Sequence, residues 1–76
     1  MDIWDATQKA YQEAEDARSK FPAFHSAHEG YAVLLEEVRE LEDEVFRNHL
    51  VRDIDAMREE AKQIAAMAIR FMVDCT

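Results

Sequence analysis

A single glycine, a single proline and a single cysteine occur among the 76 residues, and each scarcity closes off a class of protein. One glycine leaves no phosphate-binding loop, which needs several. The near absence of turn residues and of β-branched alternation argues against strands. The lone Cys75 forms no disulfide within the chain and belongs to no paired Cys/His spacing of a zinc site. It reads as a free thiol, a usage that fits a reducing, cytoplasmic compartment. Met1-Asp2-Ile3-Trp4-Asp5 has neither the basic start nor the apolar stretch of a signal peptide. The longest apolar run, Ile64 to Ile69, is closed by Arg70 and falls far short of the roughly 20 residues of a membrane span, so no membrane partner is expected. Basic residues are scarce as well, nine against 17 acidic ones for a formal charge of −8. That balance repels a phosphate backbone and argues against a nucleic-acid partner. It leaves open an acidic cluster that holds a divalent cation. No Ser/His/Asp or Cys/His nucleophile arrangement is evident.

What is present is helical patterning in one domain. Ile3, Ala6, Ala10, Ala14, Ala17 and Phe21 recur at steps of three and four, which predicts a helix from Asp2, its N-cap, to Lys20. Pro22 stops it, because the residue before a proline is biased out of the helical region. Ser26-Ala27-His28-Glu29 has the S-x-x-E pattern of a capping box and opens a second helix to Phe46, with Tyr31, Leu34, Val38, Leu41 and Val45 as its apolar stripe. Gly30 falls in its first turn, where its cost is least, or allows a close helix contact. Asn48-His49-Leu50 reads as a short connection. The third helix runs from Asp53, its N-cap, to Asp74. Between Ile64 and Val73 only Arg70 is charged, and a helix apolar nearly all round must be covered on more than one side. A chain this short buries a limited core, so a homodimer or homotetramer is expected. The fold class is therefore all-α: a short bundle of three helices completed by homo-oligomerisation.

The informative residues are carboxylates that break this pattern. At about 100° per residue, Glu37, Glu40 and Glu44 share one flank of the second stripe, with Glu36 beside Glu40. On the third helix Met57, Ile64, Met67 and Phe71 define the apolar stripe, and Glu60 projects into its middle; Gln63 and Arg70 lie along the adjacent flank. A carboxylate facing a core carries a large desolvation cost unless it is paired or metal-bound. Two readings follow. Glu60 pairs with Arg39, Arg58 or another basic residue across the bundle, or Glu37, Glu40 and Glu60 meet at the helix interface as hard oxygen ligands suited to Mg²⁺ or Mn²⁺.

Leu35-Glu36-Glu37-Val38-Arg39-Glu40-Leu41 resembles the E-E-x-x-E motif of the MazG-like, all-α nucleoside triphosphate pyrophosphohydrolases. Glu60 follows after 19 intervening residues, within the spread before that family's second motif, E-x-x-D. The likeness covers about Phe24 to Asp74 and is nearest to the short phage and prophage members. His28-Glu29-Gly30-Tyr31-Ala32-Val33-Leu34-Leu35 leads in, and Ala65-Ala66-Met67-Ala68-Ile69-Arg70-Phe71 closes it. The resemblance implies Mg²⁺-dependent cleavage between the α- and β-phosphates of a nucleotide, releasing a monophosphate and pyrophosphate. It implies Glu37, Glu40 and Glu60 as metal ligands, with Glu36 as the catalytic base or an outer group that orients water. The last position of E-x-x-D is Gln63 here, a neutral ligand that lowers metal affinity. Sign and placement nominate Arg70 and Lys20, with His25 beside them, to meet the phosphates. Longer relatives carry a further helix with substrate-contacting basic residues, a role that a neighbouring subunit would fill here.

The alternative is a degenerate relative: a non-catalytic helical oligomer acting as a structural or interaction protein. A third reading, an adaptor for a host protein, rests only on the apolar third helix. His25 and His28 flank the capping box as surface or capping groups, and His49 has no assigned role. Trp4 and Tyr11, seven apart, are placed to pack on another helix or to stack on a base. Met57, Met67 and Met72 read as core or interface fillers.

Overall fold

Asp2, Ser26 and Asp53 each stand one residue ahead of a helix in extended backbone, and each side chain accepts a hydrogen bond from the main-chain N–H three residues on. In a computed structural model that describes residues 1–47 and 53–76, these caps open α1 (Ile3–Lys20), α2 (Ala27–Phe46) and α3 (Ile54–Cys75). The expected boundaries agree with these to within a residue, and no strand occurs among the described residues. The connection expected at Asn48-His49-Leu50 lies outside them. None of the three helices is long and apolar enough to cross a membrane.

The capping box of α2 closes with a shifted partner. The Ser26 hydroxyl accepts from Glu29 N–H at 3.1 Å, and the Glu29 carboxylate accepts from the N–H of His25 at 3.1 Å, one residue before the cap. The exposed His25 ring lies 3.6 Å from the same carboxylate, which accounts for His25 as a capping group. At the start of α3, Asp53 holds Ala56 N–H at 2.9 Å. Asp53→Ala is expected to cost about 1 kcal/mol, read as a lower urea midpoint; an unchanged midpoint would show that this cap adds nothing.

Among the described residues α3 packs on both other helices, while α1 and α2 do not pack on each other. This central position is the physical reason for an apolar surface on nearly every side of α3. Ala10, Ala14 and Ala17 of α1 are buried, and with Phe24, Ala66 and Met67 they make the core. The ends of the α1 stripe are not covered: Ile3 and Phe21 are exposed.

The α2 stripe is corrected further. Tyr31 and Val38, expected inside, are 61% and 40% exposed; Leu34, Leu41 and Val45 are half-buried. Val33 and Leu34 pack against the core, and the helix also meets α3 at Gly30, where an added Cβ would stand 2.8 Å from the Phe71 ring and 3.1 Å from both Cys75 Sγ and the Phe24 ring. Gly30 is thus a point of close helix approach. Trp4 and Tyr11 are exposed, as is Met72.

Candidate functional site

Two antiparallel helices that touch at Gly30 and Phe71 carry their acidic flanks together farther along the seam. Glu37 and Glu40, one turn apart on α2, meet Glu60 of α3, and one carboxylate oxygen from each lies within 4.8 Å of the others. The expected grouping of these three residues is what the fold produces. No salt bridge reaches Glu60 among the described residues, and its Oε2 is buried without a hydrogen-bond partner. Of the basic residues nominated to pair with it, Arg58 contacts Asp55 instead, at 3.5 Å.

Crowding these acids raises their affinity for protons. Burial, then the charge of Glu40 and a hydrogen bond with it, and last the charges of Glu60 and Glu36 push the Glu37 carboxyl up from 4.5 to about 7. Glu60 moves in the same direction, from burial first and then from Glu40 and Glu44. These causes penalise the ionised form, and a bound divalent cation would reverse them. The donor set is of the hard type that Mg²⁺ takes. Oxygens on an octahedral Mg²⁺ stand roughly 3–4 Å apart, so the three carboxylates fit such an ion with a small inward movement.

Glu36 is exposed and acts on Glu37 only through its charge. Gln63 faces α1: its amide nitrogen donates to Glu13 at 2.6 Å and, more weakly, to Glu59 at 3.4 Å. Lys62 joins this group, 2.9 Å from Glu59 and 3.7 Å from Glu13. The hydrogen bond between Lys62 and Glu59, and then their opposite charges, lowers the Glu59 carboxyl from its ordinary value and raises the Lys62 ammonium from its own.

Lys20 and Arg70 share a pocket of about 460 Å³ with Glu37 and Gln63, at the junction of the α1 end with α2 and α3. Arg70 is buried, 4% exposed. It donates to the Pro22 carbonyl at 3.1 Å and lies over the Phe24 ring, 4.3 Å from its centroid. Sequence reasoning passed over Glu13 and Phe24. For Glu13 a signal existed, since it stands three residues from Ala10 and four from Ala17 on the buried side of α1. Phe24 sits between helices, where no periodicity reports burial.

Fold and site together define a three-helix protein with a carboxylate cluster in the α2–α3 seam and a mixed-charge pocket beside it. No family model, curated protein or solved structure matches the chain.

Proposed function

We propose that this protein is a Mg²⁺-dependent nucleoside triphosphate pyrophosphohydrolase that works as a homo-oligomer. The supporting observation is the convergence of Glu37, Glu40 and Glu60, one carboxylate oxygen from each within 4.8 Å of the others, together with a buried Glu60 oxygen that has no hydrogen-bond partner. Glu37, Glu40 and Glu60 would hold Mg²⁺, with Mn²⁺ as an alternative ion. Bound there, the ion would lower the pKa of a water ligand and offset phosphate charge. Glu36, exposed beside Glu37, is the group assigned to accept the proton of water as it adds to phosphorus and the α–β bridging bond breaks. Lys20 and Arg70, lining the pocket that adjoins Glu37, are assigned to the substrate phosphates. A nucleotide substrate and a free thiol fit a cytoplasmic setting.

Two quantities favour self-association. The exposed area is 5579 Å², against about 4,800 Å² for a compact monomer of this mass. The radius of gyration, 13.2 Å, also exceeds the roughly 11 Å of a compact chain this long. Tyr31 and Val38, outside on α2, are the residues such an interface would cover.

One observation favours the non-catalytic reading. Gln63, which replaces the aspartate of the resembled motif, is tied to Glu13 and Glu59 as a strut between α1 and α3. The deciding experiment is pyrophosphate release from a panel of nucleoside triphosphates with Mg²⁺. Release that EDTA abolishes is the expected result, and Glu40→Gln should reduce it by more than about a hundredfold, as losses of transition-state charge stabilisation do. No release from any nucleotide would leave the non-catalytic oligomer.

A further inference from the structure

Arg70 is a buried cation with few acceptors. Its guanidinium carries five N–H donors, yet the only oxygen that it reaches among the described residues is the Pro22 carbonyl. A second nitrogen meets the weakly accepting Met67 sulfur at 3.6 Å, and Nε is buried with no partner. Stacking on Phe24 recovers part of the desolvation cost, but a guanidinium so enclosed normally has a carboxylate or phosphate in its fork. Among the described residues no carboxylate forms a salt bridge with it, although the same pocket is lined by four acids.

Three of those acids are engaged elsewhere. Glu13 holds Lys62 and Gln63, Glu29 holds the His25 N–H, and Asp16 accepts from Gln12 at 3.0 Å. Glu37 belongs to the carboxylate cluster. The second cation of the pocket, Lys20, also has no ion pair among the described residues and lies at the exposed end of α1. Among the described residues both positive groups of the pocket thus lack an ion pair, in a protein whose acids outnumber its bases.

We infer that this pocket is an oxyanion site in its own right, with Arg70 as its floor and Lys20 at its rim, taking a phosphate group without any divalent metal. It shares with the proposed activity only the assumption that these two cations face a phosphate-bearing ligand. The volume of about 460 Å³ admits inorganic phosphate or the phosphate of a nucleotide. The charge of −8 opposes an anion at long range, but salt screens that field over roughly 8 Å.

The test is ¹⁵N NMR of the full chain in EDTA, at constant pH and chloride, following the Arg70 Nε–Hε resonance. Inorganic phosphate and a nucleoside monophosphate are titrated separately. The resonance should move saturably, and Lys20→Ala, on an exposed position that spares the core, should weaken the binding about two- to fivefold. Movement with both ligands identifies the oxyanion alone as sufficient, and movement with the monophosphate only identifies a nucleotide phosphate as the source. A resonance that neither ligand moves overturns the inference, as does equal affinity in Lys20→Ala. With metal absent throughout, failure here is distinguishable from failure of the glutamate site to bind Mg²⁺.

Discussion

Glu37→Gln is expected to make the metal-free protein more stable while weakening its hold on Mg²⁺. The native fold raises the Glu37 pKa from 4.5 to about 7, so between those values the folded state binds more protons than the unfolded one. Stability therefore falls as pH rises through that window. The favourable contribution is complete below pH 4.5 and gone above about 7. At full strength a shift of this size corresponds to about 3 kcal/mol. Solvent access to a half-buried group reduces it to about 1–2 kcal/mol. Glu60, raised for the same reasons, adds in the same direction.

The Lys62–Glu59 pair does not obscure this window. Its contribution is lost below the ordinary carboxylate value of 4.5 and above the ordinary lysine value of 10.5. Thermal unfolding in EDTA should thus show the wild type losing stability from acid to neutral pH, and Glu37→Gln losing less. Identical pH profiles would mean that the cluster carries no strain. Loss of one ligand should also cost at least the roughly tenfold in metal affinity that loss of an outer hydrogen-bond partner costs.

Gly30→Leu is expected to be the most damaging single change to the fold. A Cβ alone would stand 2.8 Å from Phe71 and 3.1 Å from Phe24 and Cys75, and these three neighbours come from two directions, α3 and the α1–α2 connection. Relief along one contact presses on another. Overpacking costs about 1–3 kcal/mol for a few added carbons, against about 1 kcal/mol regained in helix propensity. For a full leucine the overpacking dominates. Gly30→Ala should show a smaller loss, of about 1 kcal/mol. Urea unfolding of both variants checks the order, and a stabilised Gly30→Leu would show that α2 does not approach α3 closely.

Local chemistry was the most legible part of the sequence. Side chains of Asp2, Ser26 and Asp53 can satisfy free N–H groups only at helix starts, so each marks its boundary to the residue. Glu60 was legible because a carboxylate inside an apolar stripe needs a reason, and the fold brings Glu37 and Glu40 to it. The facing of α2 was not legible. Its stripe centres on Val38, which the chain leaves exposed, and a glycine has no hydropathy with which to announce the close contact at Gly30. The role of Gln63 was hidden as well: its partner Glu13 lies 50 residues away, and no local spacing reports such a pair. Arg70 was nominated for its sign, whereas its missing acceptors emerge only once Pro22 and Phe24 fold over it.

The central claim is that Glu37, Glu40 and Glu60 bind a divalent cation, and electron paramagnetic resonance of Mn²⁺ tests it most directly. Titrated with wild-type protein, the free Mn²⁺ signal should fall to a saturating endpoint of one ion per cluster, and Mg²⁺ should restore it by competition. With Glu60→Gln the signal should persist. A wild-type protein that leaves the free signal unchanged, or a Glu60→Gln variant that removes it equally well, would contradict the account.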